Sequence, residues 1–330
     1  MKKIMNRVED VVPEMLDGMM MACPDLKILP GTQVVVRKSG AVQGKVGLIS
    51  GGGSGHEPAH AGYVGEGMLD GACAGALFSS PSVDQMMEGI RAVNGGKGVL
   101  IIAKNYTGDN LNFDMAAELL EDEGIQVEKV VVKDDIAVEE SSNTTGRRGV
   151  SGTVLVHKIA GAKAAKGADL LEVKQAAQKA IDHIRTLGFA FSPCIIPSVG
   201  KPSFELADDE MELGTGIHGE AGVKRMKLPT SAELAKLLVE KIDADMPLKE
   251  DEEVAVLVNG CGATPLMELY ILLQDVEKVL KEKKIHIYKA FAGNYMTSLE
   301  MAGGAVCIMK LDEELKRLLD AKADTLAFHM

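Results

Sequence analysis

The chain has 330 residues, 46% of them hydrophobic and 25% charged, the balance of a globular protein with room for two domains of ordinary size. A formal net charge of −12 argues against nucleic acid or an anionic membrane surface as its main partner, and no apolar run is long enough for a transmembrane helix. Its five cysteines (Cys23, Cys73, Cys194, Cys261 and Cys307) are odd in number and form no CxxC pair, which fits neither a disulfide framework nor a cysteine zinc site.

The N-terminal residues Met1–Arg7 lack the apolar core of a signal peptide, so a cytoplasmic location is expected. Val8, Val11, Val12, Met15, Leu16, Met19 and Met20 recur at three and four and predict an amphipathic helix. Val34-Val35-Val36 predicts a short strand. Val46–Ser50 predicts a second, followed by a glycine turn, Gly51–Gly55, that ends on His56. The small apolar run from Asp70 reads as a buried strand that feeds the polar turn Phe78–Ser80. Ser82 with Gln85 marks a helix start. Gly98–Ala103 is a near-continuous apolar strand that runs into Lys104-Asn105-Tyr106-Thr107-Gly108-Asp109. A helix follows, then a strand over 127–132.

Alternation of strand and helix predicts a parallel sheet, with the turns at Gly51–His56, Phe78–Ser80 and Lys104–Asp109 on one edge. In open parallel sheets that edge, outside the carboxyl ends of the strands, is where ligands bind. Residues 133–148 are polar and expected to form a solvated loop that includes Glu139, Glu140, Arg147 and Arg148. Two Ala-rich helices are expected near 151–166 and 169–187.

Glycines and prolines after Leu187 place a domain boundary there, giving domains of 1–187 and 188–330. The second domain holds short strands within 195–214, a helix over 231–243 opened by Thr230 and Glu233, a strand at Val254–Val258, and a helix with Pro265 in its first position. Strands near Ile285–Tyr288 and Ala305–Met309 and a last helix around Leu315 follow. The fold class is therefore α/β: two α/β domains, the first with a largely parallel sheet and the second a smaller mixed-sheet unit.

No GxxxxGK[ST] phosphate loop is present. Gly214–Gly219 fits GxGxxG, but without a surrounding βαβ unit it makes a poor dinucleotide site, and a nicotinamide-dependent dehydrogenase is the weaker reading. His56 ends a glycine-rich strand terminus and is the foremost candidate for chemistry. His60 lies four residues on, but no third ligand accompanies the pair, so no metal site is expected. His218, flanked by Gly214, Gly216, Gly219 and Gly222, sits where a ligand or backbone approaches closely, and a neutral imidazole is a nucleophile. His157, His183, His286 and His329 read as structural or surface groups. Asp109 reads as a helix cap, alone or together with a role as general base or as hydrogen-bond acceptor for a hydroxyl.

Four motifs in order and spacing, GGGSGHEP at 51–58, KNYTGD at 104–109, GRRG at 146–149 and GTGIHGEAG at 214–222, resemble the dihydroxyacetone kinase K subunits, and the likeness spans the chain. The resemblance implies a homodimeric, phosphotransferase-system-dependent kinase (phosphoenolpyruvate–glycerone phosphotransferase). In such an enzyme His218 would hold dihydroxyacetone covalently as a hemiaminal. Gly53, His56, Ser80, Lys104 and Asp109 would bind the triose, and His56 would act as base or acid with Asp109 beside it. It further implies that ADP and Mg reside on a separate L subunit, recharged through an M subunit, with no cofactor on this chain. One-chain relatives carry a second, nucleotide-binding domain after this one, whereas this sequence stops at Met330. The alternative within the same resemblance is a non-catalytic triose-binding paralogue that acts as a transcriptional co-activator or sensor.

Overall fold

The computed structural model describes residues 2–138, 146–220 and 222–330. It divides into two compact units, each assembled from separate stretches of chain. Unit 1 comprises Met1–Val132, Val154–Ala180 and Arg317–Met330; unit 2 comprises Lys133–Thr153 and Ile181–Lys316.

Unit 1 contains α1 (Val11–Ala22), β1 (Leu26–Ile28), β2 (Val34–Arg37), β3 (Gly47–Ser54), β4 (Gly65–Glu66), β5 (Gly71–Leu77), α2 (Val83–Val93), β6 (Val99–Lys104), α3 (Thr107–Glu121) and β7 (Val127–Val132). It also holds nearly all of α4 (Thr153–Ala165) and α5 (Leu170–Asp182). Six strands form one sheet in the order β1-β2-β5-β3-β6-β7. The pairs β3·β5, β3·β6 and β6·β7 are parallel, and β1 and β2 are added antiparallel at one side. The central strands β3 and β6 are buried along their whole length, as a sheet covered on both sides requires. Ile49, Ile101 and Ala103 pack with Met86 and Ile90 of α2 and with Phe113, Ala116 and Leu120 of α3. α2 starts on Ser82, whose Oγ accepts from the Gln85 amide.

α4 is buried almost throughout, so it shows no single apolar stripe; a helix that is apolar all round belongs inside a core. Gly161 allows the close approach: a Cβ there would lie 2.2 Å from the Gly67 carbonyl oxygen. The buried Lys158 ammonium donates to the Leu318 carbonyl at 2.7 Å, an orphan acceptor near the end of a short helix, Glu313–Leu319.

Unit 2 is built on β8 (Ile184–Ala190), β9 (Glu210–Leu213), β10 (Lys224–Lys227), β11 (Glu253–Gly260), β12 (His286–Gly293) and β13 (Gly303–Lys310), with α6 (Ser231–Asp245) and α7 (Leu266–Glu282). The sheet order is β10-β9-β8-β13-β11-β12, and of its pairs β11·β12 is parallel and the other four are antiparallel. Its core joins Val254, Val256 and Val258 of β11 to Leu234, Leu238 and Ile242 of α6 and to Leu269, Val276 and Leu280 of α7. Thr230 and Glu233 make a complete capping box at the start of α6.

Four sequence expectations are revised. The helix expected over 169–187 ends at Asp182, and Ile184–Ala190 forms β8 instead. Ile184, Thr186 and Leu187 pair with the buried strand β13, and that pairing outweighs their local helical context. The boundary expected at 187/188 thus falls inside β8, and the chain passes between units at 132/133, 153/154, 180/181 and 316/317. Gly51–Gly53 form no turn; β3 runs through them to Ser54, with all eight of its residues buried. Pro265 is the N-cap of α7 rather than its first residue. Within the loop expected over 133–148, residues 139–145, Glu139 and Glu140 among them, lie outside the described residues. The remainder is well anchored, as described below.

Candidate functional site

Because β5, β3 and β6 are parallel neighbours, their carboxyl ends emerge on the same side of the sheet. The β5 turn packs directly on β3: a Cβ on Gly53 would lie 2.5 Å from the Ser79 nitrogen and 2.6 Å from the Phe78 Cα. No side chain fits there. Beyond Gly55, at φ +106°, the backbone delivers His56, which is only 1% exposed and stacked on Phe78 at 4.9 Å between ring centres. Ser80 closes on the third strand end. Its Oγ lies 2.6 Å from the position of a Cβ on Gly108, in the first turn of α3. The expected convergence of Gly53, His56, Ser80, Lys104 and Asp109 on one sheet edge is what unit 1 displays.

Asp109 is buried in the first turn of α3, but it does not cap the helix; the N-cap is Tyr106. Its carboxylate turns inward instead. A Cβ on Gly52 would sit 2.6 Å from Lys104 Nζ, 3.3 Å from Asp109 Oδ2 and 3.8 Å from His60 Nε2, so three polar groups converge on the space that Gly52 leaves open. Burial pulls Lys104 below the usual lysine range, and the negative charge of Asp109 opposes that shift. A cavity of about 10 Å³ lined in part by Gly52, Gly53, His60 and Met15 adjoins the cluster.

Lys104 Nζ lies 2.8 Å from His60 Nε2, and His60 Nδ1 lies 3.0 Å from His157 Nε2 and 3.3 Å from Ser50 Oγ. The Ser50 hydroxyl itself donates to the Ile102 carbonyl at 2.6 Å. Both imidazoles are disfavoured as cations: burial first, then the Lys104 charge, hold His60 well below its normal range and push His157 down to about 3. Sequence reasoning missed this pair. It treated His60 as a weak metal partner of His56 and His157 as structural or surface. The available signal was His157's place, with Lys158, within the apolar run Val154–Ala162.

In unit 2, His218 lies on the loop between β9 and β10, 20% exposed at its side chain. Its backbone amide donates to Glu220 Oε2 at 2.9 Å, and its Nδ1 lies 3.1 Å from Glu220 Oε1. Burial works against the Glu220 charge, but the His218 hydrogen bond and charge, a backbone bond and Arg148 prevail and hold its carboxyl down at about 2. An ionised carboxylate only accepts, so Nδ1 carries a proton, and in the uncharged form of the ring the lone pair is on Nε2. Arg148 bonds Asp135 at 2.8 Å and the Gly214 carbonyl at 2.8 Å, which braces the loop from beneath. Gly216 makes room for both partners, since a Cβ there would lie 2.0 Å from Glu220 Oε2 and 2.5 Å from Arg148 Nη1. The two arginines expected in a solvated loop are therefore part of the fold, Arg147 through a two-pronged pair with Asp245 and Arg148 through the His218 loop. Glu220 is a third residue that sequence reasoning did not assign, although it lies within the GTGIHGEAG motif.

Gly214–Gly219 joins two antiparallel strands, so the GxGxxG match lacks the strand–turn–helix setting of a dinucleotide site. Among the described residues, no group of three or more His, Cys, Asp or Glu side chains is arranged to hold a metal ion. Nor is any helix there long and apolar enough to cross a membrane.

The profile of the Dak1 domain matches residues 17–327. The chain is 54% identical over 330 residues to the "PTS-dependent dihydroxyacetone kinase 1, dihydroxyacetone-binding subunit DhaK" of Listeria innocua, covering 99% of this chain and all of that protein. It is 52% identical to the "PTS-dependent dihydroxyacetone kinase, dihydroxyacetone-binding subunit DhaK" of Lactococcus lactis, with 95% of this chain and 94% of that protein aligned. Among solved structures, the dihydroxyacetone kinase of C. freundii in complex with AMP-PNP and Mg2+ superposes with a TM-score of 0.91 at 35% identity, over 99% of this chain and 61% of that one. The "dihydroxyacetone kinase operon co-activator Dha-DhaQ" superposes with a TM-score of 0.90 at 39% identity, over 96% and 98% of the two chains.

Proposed function

Because the chain belongs to the Dak1 family, we propose that it is the dihydroxyacetone-binding subunit of a phosphotransferase-system-dependent dihydroxyacetone kinase. The observation that carries this reading is the His218–Glu220 pair. It fixes the tautomer that leaves Nε2 as nucleophile in a glycine-rich loop. Nε2 adds to the triose carbonyl carbon: an N–C bond forms as the C=O π bond breaks, and the oxygen takes up a proton. The ring gives up its Nδ1 proton past the Glu220 carboxylate, which stays ionised, in exchange for the one the oxygen gains, so N–H has added across C=O, the hemiaminal is neutral and no water is lost. A polyol without a carbonyl cannot make this bond, which separates dihydroxyacetone from glycerol more sharply than hydrogen bonds to shared hydroxyls.

In this reading Gly53, Ser80, Lys104 and Asp109 bind triose hydroxyls, and His56, with Asp109 beside it, takes the proton from the primary hydroxyl as phosphorus is transferred. Phosphoryl transfer needs its charge neutralised by a nucleotide and magnesium, and the reading assigns both to a separate L subunit, recharged by an M subunit. The functional unit is a homodimer in the cytoplasm. A transcriptional co-activator is the second reading, prompted by the superposition on the co-activator Dha-DhaQ. The 54% identity to a kinase subunit, against 39% to that co-activator, favours catalysis.

Native mass spectrometry with dihydroxyacetone, without borohydride, tests the anchor. The expected adduct carries the full triose mass and maps to His218. An adduct that persists in His218→Ala would sink the assignment. Phosphoryl transfer reconstituted with L and M subunits then separates the two readings, since triose capture without turnover would support the sensor.

A further inference from the structure

The buried row Asp109–Lys104–His60–His157 extends beyond any residue assigned a role above. Lysine is a flexible point charge with three donors and no intrinsic direction. In a pocket that recognises hydroxyl groups, it must be aimed. The side chain that lies against its Nζ is His60, at 2.8 Å, and His60 is in turn fixed on its far side. An ammonium only donates, so His60 Nε2 accepts and its proton is on Nδ1. That proton is shared between His157 Nε2 at 3.0 Å and Ser50 Oγ at 3.3 Å. The Ser50 hydroxyl points its own proton at Ile102, so it can only accept from His60. Every bond in the row therefore runs in one direction, away from Lys104. These partners come from distant parts of unit 1: Ser50 from β3, Lys104 from β6, His60 from the loop after β3, and His157 from the interior helix α4.

The arrangement is costly unless it is used. Two buried imidazoles beside a buried ammonium stay uncharged only because their pKa values are depressed, and aliphatic side chains would fill the space without that constraint. Gly52 is kept bare where Nζ, Asp109 Oδ2 and His60 Nε2 meet, because a side chain there would collide with the aimed ammonium.

We infer that His60, backed by His157 and Ser50, is the positioning residue that fixes the Lys104 ammonium beside Asp109 for a hydroxylated carbonyl ligand. This deepens the triose-binding reading and rests on it for the identity of that ligand. His60 acts through Lys104 and does not itself touch the substrate.

Two readouts test it. Long-range ¹H–¹⁵N spectra of the ligand-free protein should show His60 as the neutral Nδ1–H tautomer from about pH 5.5 to 8. That signature should change in Lys104→Met. Kinetics of the reconstituted transfer reaction should show KM for the triose raised about tenfold in His60→Leu, with a smaller change in kcat. His60→Gln, which keeps an acceptor near the Nε2 position, should recover most of the loss. In a Lys104→Met background, His60→Leu should add less than about twofold, because the two act as a unit.

An Nε2–H tautomer at His60 would overturn the inference, as would a His60→Leu effect undiminished without Lys104. The spectra need neither substrate nor the variants, so they decide the point even if His60→Leu fails to fold. A wild-type protein that captures no dihydroxyacetone would refute the triose reading alone, and the His60 tautomer and its dependence on Lys104 would still decide whether the clamp exists.

Discussion

The two candidate regions hold their histidines by different means. In unit 1, His56 follows a strand whose eight residues are all buried, and Lys104 and Asp109 begin or end regular elements in a packed interior. Backbone meets backbone there without side chains between. In unit 2, His218 is on a glycine loop held by one carboxylate and, through the Gly214 carbonyl and Glu220, one arginine. The first mode suits the roles proposed for its groups, aiming at hydroxyls and moving protons, because misplacement costs rate steeply. The second suits the role proposed for His218, a nucleophile that reaches a carbonyl carbon and accepts a new covalent bond, which demands that its surroundings yield.

The same substitution in both regions gives the largest expected contrast. In Gly53→Ala the new methyl meets backbone atoms of Phe78 and Ser79, which cannot step aside. A stability loss of about 3 kcal/mol and loss of triose binding are expected, measured by urea unfolding and calorimetry. In Gly216→Ala the methyl meets side-chain ends of Glu220 and Arg148, which can swing away. Stability should fall by only about 1 kcal/mol while adduct formation collapses. Equal stability losses would erase the distinction.

Acid separates the regions next. His157 is pushed down to about 3 and His60 lies well below its normal range. The unfolded chain binds a proton at each near pH 6.5, whereas the folded chain does not. The unfolded state therefore holds more protons below about pH 6.5, and stability falls as pH drops from there, for His157 until about pH 3, by about 1.4 kcal/mol per pH unit for each histidine that stays unprotonated in the fold. Denaturant titrations between about pH 7 and 5 should show this slope, and His157→Leu should cut it by about half. A slope unaltered in that variant would place the acid sensitivity outside the buried pair.

The smallest effect is expected at Glu220. Glu220→Gln keeps the size of the side chain but replaces an obligate acceptor with a group that also donates. The tautomer of His218 is then no longer dictated, and adduct formation should slow about tenfold with the unfolding midpoint little changed, as read by time-resolved mass spectrometry. An unchanged rate would mean that the loop backbone alone sets the ring.

Much of unit 1 was legible because its strands are apolar and its chemistry-bearing residues fall at strand ends. The parallel pairing then forces Gly53, His56, Ser80, Lys104 and Asp109 to one edge. The glycines of β3 misled, because local preference assigns Gly-Gly-Gly to a turn. What keeps them in a strand is the closeness of β5 and of Lys104, which no local window contains. His157 escaped for the same reason: 97 positions separate it from His60. Residues 184–187 follow two helices and carry no turn signal, so only pairing with β13 reveals them as strand. In unit 2 the glycines around His218 marked the loop, but the carboxylate two residues on drew no attention because an acidic residue in a loop is ordinarily solvated.

The last stretch of the chain closes the first unit: Asp324–Thr325 pairs with Gly65–Glu66, and the Ala327 amide donates to the Gly62 carbonyl at 3.0 Å. During synthesis the early strands therefore leave the ribosome long before the segment that completes them exists. The His56 and His60 loop must wait, incompletely walled, through the translation of all of unit 2. Completion of this wall is thus timed by the synthesis of Asp324–Ala327 rather than by the early sequence itself. A nascent chain stalled before Arg317 should carry a protease-sensitive loop at 56–69 that release of the finished protein protects.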